Sequence, residues 1–367
     1  MPNVKIQQWR TPLALSKGTI LDAALRQGVP YPHSCRSGEC GSCKTLLLCG
    51  DVEHGPCLED ALSDAERDQG LILACRAKPK TDVEIAWIDD LEPMPSFPVR
   101  WLKTRVVELE LATHNVTKLS LWVRGKPLAF AAGQYARLSI DKLPARSFSM
   151  ASQPDAPILE FHVRHVPGGL VSGYVASSLK VGDTLRFEGP FGTSYLREQH
   201  PGPIVAAAGG TGLAPVLSIV RKALACTPRR PIHVYFGVQD EADIYAESEL
   251  EQLALANPQV HAHVVLSAPS GPTARRTGFV HQALEQDFSV LSGAKVYAAG
   301  PPPMVKAVTA TAISRGVDPA DIHSDSFVSS ATTEPRPGLL QGIANLFTAR
   351  TTPNRDDVAS FSRPHTP

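Results

Sequence analysis

The chain opens on alternation. Val4 and Ile6, then Leu13 and Leu15, repeat at every second position, so residues 3–9 and 12–16 are expected as two short strands. From Thr19 to Gln27 the period lengthens: Ile20, Leu21, Ala24 and Leu25 share one side of a helix, and Gly28 supplies its stop. A patternless stretch of Gly, Ser and Cys follows, then Thr45-Leu46-Leu47-Leu48 as a buried strand. Ser63-Asp64-Ala65-Glu66, with Leu62 before it, is a capping box and starts a short helix. Gly70 to Ala74 is an apolar strand, and Val83, Ile85 and Trp87 alternate as a last one. Leu91 to Pro98 places three prolines in six residues and reads as an extended, semi-stiff linker. Beyond it, alternating segments such as Lys118–Val123 and Leu159–Val163, split by Gly and Pro turns, predict an antiparallel barrel. From about residue 203 the text becomes apolar strand, Gly turn and helix: Ile204–Ala208, Gly209–Gly212, then Ala214–Leu224. Further strands at His233–Phe236, His261–Leu266 and Lys295–Ala299 make this a parallel α/β sheet. After Ser329 the chain turns rich in Ser, Thr, Pro and Arg and is expected to be mostly disordered. One island there, Leu339, Leu340, Ile343, Leu346 and Phe347, has the spacing of a short amphipathic helix.

These changes of period divide the chain at 1–90, a linker 91–99, 100–198, 199–328 and a tail 329–367. A length of 367 residues suits two to three domains of roughly 100–200 residues each. No apolar run approaches the roughly 18 residues of a membrane span. Lys plus Arg and Asp plus Glu are both 36, which leaves no global field to attract nucleic acid. Residues 1–90 hold 10 basic and 13 acidic side chains, a slight negative lean that suits docking to a basic face. The first residues carry no apolar signal segment, so a cytoplasmic location with reduced thiols is expected.

The cysteines then change the picture. Cys35, Cys40, Cys43 and Cys75 stand as C-x4-C-x2-C followed by one distant Cys, the spacing by which plant-type ferredoxins hold a [2Fe–2S] cluster. Ser34 to Cys43 has almost no bulk between ligands, so the backbone can curl and aim N–H groups at the sulfurs. Zinc is the competing reading, but it usually presents two close pairs. Cys49, Cys57 and Cys226 are off this spacing and are expected as ordinary small thiols. With these residues in place, the order strand, strand, helix, Cys loop, strand, short helix, strand resembles the β-grasp ferredoxin fold.

Arg146-Ser147-Phe148-Ser149 follows the barrel strand Gly133–Leu138 and resembles the R-x-Y/F-S signature of the ferredoxin–NADP reductase superfamily. That resemblance implies Arg146 on a flavin pyrophosphate, Phe148 stacked on the isoalloxazine and Ser149 at flavin N5. Gly168-Gly169-Leu170-Val171-Ser172 resembles the second phosphate element of the same family, with Gly168, Gly169 and Ser172 as the contacts, and Gly189-Pro190-Phe191-Gly192 closes the barrel. Gly209 to Pro215 departs from the dehydrogenase G-x-G-x-x-G. Still, Gly210, Thr211 and Gly212 lie between a buried strand and a helix, where free N–H groups meet a pyrophosphate. Gly300, Pro301 and Met304 resemble the C-G-P-P-x-M element beside the nicotinamide, with Ala299 in place of the Cys. Asp325-Ser326-Phe327 resembles the terminal segment whose aromatic shields the second flavin face, although 40 residues follow it here; Phe327 as a core residue is the alternative. Asp240 ends the second α/β strand, where an acidic side chain accepts from a ribose 2′-hydroxyl and repels a 2′-phosphate, which favours NADH over NADPH. Arg275 and Arg276 are expected as a solvated loop pair, and His261 and His263 as surface residues.

In this order the parts resemble the reductase component of bacterial multicomponent oxygenases. The resemblance implies one [2Fe–2S] cluster and one FAD. Electrons would pass from NADH to a terminal aromatic-ring dioxygenase, directly or through a ferredoxin, with the protein a monomer outside the oxygenase complex. A reductase for a diiron phenol or hydrocarbon hydroxylase is the first alternative, and a non-turnover carrier or redox sensor the second.

Overall fold

A computed structural model describes residues 2–15, 18–88, 97–227 and 229–327. Most of the expected linker and the whole tail, with its Leu339–Phe347 stripe, lie outside the described residues.

The first sheet is built from β1 (Asn3–Ile6), β2 (Leu13–Ala14), β3 (Lys44–Cys49), β5 (Leu71–Leu73) and β7 (Val83–Trp87), in the order β2-β1-β7-β3-β5. Its helix α1 (Ile20–Arg26) starts where Thr19 and Asp22 cap each other, and α2 (Asp64–Asp68) starts on the expected Ser63–Glu66 box. Both helices bury little backbone beyond one or two turns, so these reciprocal bonds matter at their ends. A small pair unforeseen in the sequence, β4 (Val52–His54) with β6 (Ala77–Pro79), brackets the Cys loop. Val4, Ile6, Ile20, Tyr31, Ile72 and Ile85 fill the core beneath that loop.

The second sheet runs β11-β10-β13-β8-β9-β12, all antiparallel. Its strands are β8 (Arg100–Thr113), β9 (Val116–Val123), β10 (Tyr135–Ser139), β11 (Arg146–Ser149), β12 (Ile158–Arg164) and β13 (Thr184–Phe191). A bridge between Met150 and Phe161 joins its two ends and closes a barrel around Leu121, Leu138, Phe161 and Phe187. The Gly168–Ser172 segment is the start of a helix, α3 (Leu170–Ser177), with Gly169 at its N-cap.

The third sheet is wholly parallel, in the order β17-β16-β15-β14-β18-β19. It comprises β14 (Ile204–Gly209), β15 (Ile232–Val238), β16 (Val260–Leu266), β17 (Arg276–Thr277), β18 (Lys295–Gly300) and β19 (Ile322–Ser326). Helices α4 (Leu213–Cys226), α5 (Glu247–Ala256), α6 (Val280–Asp287) and α7 (Pro302–Ser314) cover it. Successive strands leave β14 first to one side, then return to the other at β18. Such a reversal opens a crevice at the carboxyl ends of the strands.

Candidate functional site

The Cys loop curls because Arg36, Gly38 and Gly41 take positive φ, at 60°, 86° and 72°. A Cβ on Gly38 would stand 2.9 Å from the Arg76 side chain, so the turn has room only for glycine. Backbone N–H groups do aim at sulfur: Cys35 donates to Cys40 Sγ and Ser37 to Cys35 Sγ, both at 3.4 Å. The thiols fall into two pairs. Cys35 is pushed down to about 4 by its hydrogen bond with Cys40, which is itself held up, and Cys75 is held up by sharing a proton with Cys43. Among the described residues no three His, Cys, Asp or Glu side chains converge on one point. A zinc ion asks for four donors around a single centre, whereas two irons each need one pair. The donor set fits the two-iron cluster. Of the remaining cysteines, Cys57 accepts from Arg67 at 2.9 Å, while Cys49 and Cys226 are exposed.

Beside this loop, β10 and β11 pair Tyr135 with Ser149, Ala136 with Phe148 and Leu138 with Arg146. Ser149 Oγ donates to Asp325 Oδ2 at 2.9 Å, and Ser34 Oγ donates to Asp325 Oδ1 at 3.2 Å. One carboxyl on β19 thus joins the barrel serine to the residue just before the first cluster cysteine. Burial pushes Asp325 up to about 6, against the two serine bonds that favour its charge. Tyr135 Oη donates to the Ser34 carbonyl at 2.6 Å. His33 Nδ1 lies 2.7 Å from the Tyr31 carbonyl, and its Nε2 accepts from the Gly192 N–H at 3.1 Å. Those partners fix the neutral tautomer, and burial pushes His33 down to about 4. The Arg36 guanidinium sits 4.5 Å over the Phe191 ring.

Arg146 is half-buried and donates to the Ala145 carbonyl, which leaves other guanidinium N–H groups for an anion. Ser172 Oγ accepts from the Val166 N–H at 3.0 Å and so ties down the turn that opens α3. Phe148 is half-buried against the barrel core. Phe327 is half-buried, and its N–H donates to the Gly300 carbonyl at 2.8 Å.

At the strand crevice lies a cavity of about 410 Å³, lined by Gly209, Gly210, Thr211, Pro301 and Met304 among the expected residues. Gly212 lets the turn approach β18: a Cβ there would lie 2.0 Å from the Ala299 carbonyl. Ala299 is buried. The cavity also holds residues that the sequence reading passed over: Asp243, Tyr245, Phe279 and His281. Phe279 is 57 % exposed, and its ring lies nearly parallel to His281, at 14° with centroids 5.7 Å apart. An exposed aromatic at the N-terminus of a helix, after Gly278, was the available signal.

Asp240 does not line this cavity. Its Oδ1 accepts from the Glu241 and Ser270 N–H groups at 2.8 and 3.1 Å, because it caps the 3-10 turn Glu241–Asp243. The acidic side chain that faces the cavity is Asp243. Arg275 and Arg276 are ion-paired rather than a solvated pair, Arg275 with Glu241 and Glu247, Arg276 with Asp287. His261 is exposed and His263 half-buried, and their rings stack on His233 and against Tyr235.

Three family models match the chain in sequence. The 2Fe-2S iron-sulfur cluster binding domain covers residues 8–80, the oxidoreductase FAD-binding domain 103–195 and the oxidoreductase NAD-binding domain 207–310. The reductase component of the naphthalene 1,2-dioxygenase/salicylate 5-hydroxylase systems of Ralstonia sp is 40% identical over 314 residues, 85% of this chain and 94% of that protein. The reductase subunit of an aromatic O-demethylase of Amycolatopsis is 38% identical, over 85% of this chain and 95% of its own. In structure, the Amycolatopsis cytochrome P450 reductase GcoB superposes with a TM-score of 0.80 at 36% identity, covering 90% of this chain and 99% of that one. The first sheet with its Cys loop, the antiparallel barrel and the parallel sheet are therefore the 2Fe-2S, FAD-binding and NAD-binding domains of one oxidoreductase. The chain belongs to the flavo-iron-sulfur reductases, which join a [2Fe–2S] ferredoxin domain, an FAD-binding barrel and an NAD-binding domain in a single polypeptide.

Proposed function

We propose that this reductase draws on NADH and delivers single electrons to a terminal aromatic-ring dioxygenase, directly or through a separate ferredoxin, in the cytoplasm. FAD, when bound, takes electrons as a pair and releases them singly, and the [2Fe–2S] cluster carries one at a time. The rest falls to the side chains. Gly210, Thr211 and Gly212 present N–H groups to the dinucleotide pyrophosphate, with Pro301 and Met304 forming the wall on the β18 side. Gly300 passes close behind Gly209 and holds the Phe327 backbone. Arg146 and the α3 terminus at Gly168, Gly169 and Ser172 hold the flavin pyrophosphate, Phe148 and Phe327 flank its ring system, and Ser149 supplies a hydroxyl at N5. Asp325 fixes the rotamer of Ser149, so the hydroxyl is oriented before the nucleotide arrives. Cys35, Cys40, Cys43 and Cys75 hold the irons.

Asp240 serves NADH selection through the turn it caps, which carries Asp243 into the cavity. Glu241 and Glu247 occupy Arg275, the nearby cation that a 2′-phosphate would otherwise recruit.

The observation that supports this reading is the Asp325 junction: its two carboxyl oxygens accept from Ser149, read here as the flavin serine, and from Ser34, the residue just before Cys35. The acceptor assignment draws on the Ralstonia relative. Reconstitution tests it: the purified reductase, NADH and a Rieske dioxygenase with its ferredoxin should hydroxylate an aromatic substrate with NADH consumption matched to product. A P450 driven efficiently in place of the dioxygenase would reassign the acceptor, as the name of the Amycolatopsis structure would suggest.

A further inference from the structure

One outer face of the barrel carries cations and aromatic surface that the rest of the chain leaves unmatched. The register of β8, β9, β12 and β13 assembles it: Lys103 pairs with Arg186, Arg105 with Trp122, and Trp122 with Ile158. Trp101 stands two residues before Lys103 on β8 and so lies on the same side of the sheet. All of these side chains are exposed, Trp101 to 66 % and Trp122 to 42 %. We propose that this face is the docking surface for an acidic electron-carrier protein, the separate ferredoxin that takes electrons onward to the oxygenase. The inference rests on the acceptor being a protein of an oxygenase system.

Charge carries the first step. Across an antiparallel pair, side chains directly opposite each other stand on one face about 5 Å apart. Lys103 therefore meets Arg186, a like-charge pair that costs stability, and Arg105 follows on the same strand. Among the described residues none of these three forms an ion pair; Arg105 and Arg186 reach only the backbone carbonyls of Gly182 and Asp141. Glu188, beside Trp101, is already taken by Arg137 at 3.0 Å. Glu108, beyond the irregularity that follows Val106, ends the basic stretch. The chain is neutral overall, so the excess is local. A partner rich in carboxylates relieves the repulsion that the free chain retains.

Aromatic surface carries the second step. A patch of large apolar side chains left in water marks an interaction site, and Trp and Arg are enriched where proteins meet. Trp101 and Trp122 bracket the cations, which puts anchors and charge on one patch. Position carries the third. Trp101 also lines a cleft of about 280 Å³ together with Arg36 and Phe191, and Arg36 follows Cys35. A carrier seated on this face is held beside the Cys loop. An anionic lipid surface or a nucleic acid has no use for that neighbour.

The test uses the holoenzyme with three acceptors: ferricyanide, basic cytochrome c and an acidic Rieske ferredoxin. Lys103→Glu turns the like-charge pair into an ion pair with Arg186, so the thermal midpoint should not fall. The KM for the ferredoxin at low salt should nevertheless rise roughly tenfold, and its salt dependence should flatten. Trp122→Ala should raise the same KM by roughly fivefold or more with the salt dependence kept, as loss of an apolar anchor does. Turnover with ferricyanide and with cytochrome c should be unchanged in both variants. An unchanged ferredoxin KM in both variants would overturn the proposal, and so would an equal loss with cytochrome c. Each protein is also mixed with phosphatidylglycerol vesicles and with duplex DNA. Binding to either that Lys103→Glu abolishes, with ferredoxin turnover intact, would overturn the proposal and give the face to that partner. A wild type that reduces ferricyanide but no ferredoxin would instead strike the acceptor reading itself, and this proposal with it.

Discussion

Replacing Asp325 by Asn tests whether a buried carboxyl is the hinge pin of the electron path. In the folded protein this group is raised from 3.8 to about 6 by burial. A raised carboxyl pKa means that the native state binds the proton more tightly than the unfolded chain. Its effect on stability is therefore most favourable below the unfolded value and is lost as pH rises through 6. The full span is about 3 kcal/mol at about 1.4 kcal/mol per pH unit, and about 2 kcal/mol of it falls between about pH 4.5 and pH 8. Asn has no charge to lose, so this part of the pH dependence should vanish. In exchange it can accept from only one of Ser34 and Ser149, at a cost of about 1 kcal/mol that does not vary with pH. The assay is the thermal midpoint of the cofactor-loaded protein and of Asp325→Asn at both pH values. The gap between the two proteins should shift by roughly 3 °C in favour of the variant on going to pH 8. Groups such as Asp287, held low at about 2 by Arg276, contribute equally to both proteins and cancel. A gap that stays constant with pH would refute the argument, because Asp325 would then titrate as an exposed carboxyl does.

Ser149→Ala should slow flavin reduction by NADH by roughly 10²-fold with FAD retained, as loss of one placed polar group commonly does; an unchanged stopped-flow rate would leave Ser149 a structural role only. Cys43→Ser should break one thiol pair and abolish cytochrome c reduction while NADH–ferricyanide turnover survives, and iron content with both activities distinguishes this from general unfolding. Phe279→Ala removes the exposed ring at the cavity mouth and should raise KM for NADH by roughly fivefold or more, the range of one stacking contact, while leaving dithionite reduction of the flavin unchanged.

What could be read in advance was local. The capping box at Ser63, the alternation of Val83, Ile85 and Trp87, and the triplet Cys35, Cys40, Cys43 are each complete within ten residues or so. The parallel sheet announced itself because its central strand β14 is apolar throughout and its neighbours β15 and β18 nearly so. Contacts made by folding were not legible. Asp325 stood in the sequence only as a neighbour of Phe327, yet its partners lie 291 and 176 residues away. His162 and Tyr245 are separated by 83. Asp240 looked free to face a ribose because nothing in its spacing reveals that the Ser270 N–H, 30 residues on, returns to meet it. The β4 and β6 strands are three residues each, too short to show a period.

The contact between the Cys loop and the barrel is built from buried groups, with Asp325 as the carboxyl among them, and this separates it from docking to an outside acceptor. Around His33 and Ser34 it uses the Tyr135 hydroxyl, the Gly192 and Thr193 N–H groups, the Thr193 hydroxyl and Asp325. His33 is neutral there, and Arg36, which packs on Phe191, already has its own partner in Asp22. The ion pair Lys306–Asp60 ties the ferredoxin-like part to the parallel-sheet part instead, but both ends are about four-fifths exposed, so salt screens it to little effect. Transfer from flavin to cluster should therefore keep its rate when ionic strength rises from about 0.01 to 0.5 M, as read by stopped-flow absorbance of the two centres. Reduction of a separate, basic acceptor such as cytochrome c meets the acidic side chains of residues 1–90 across solvent and should slow several-fold over the same range. If the internal step slows in parallel, exposed charge and not these buried bonds is holding the cluster loop against the flavin.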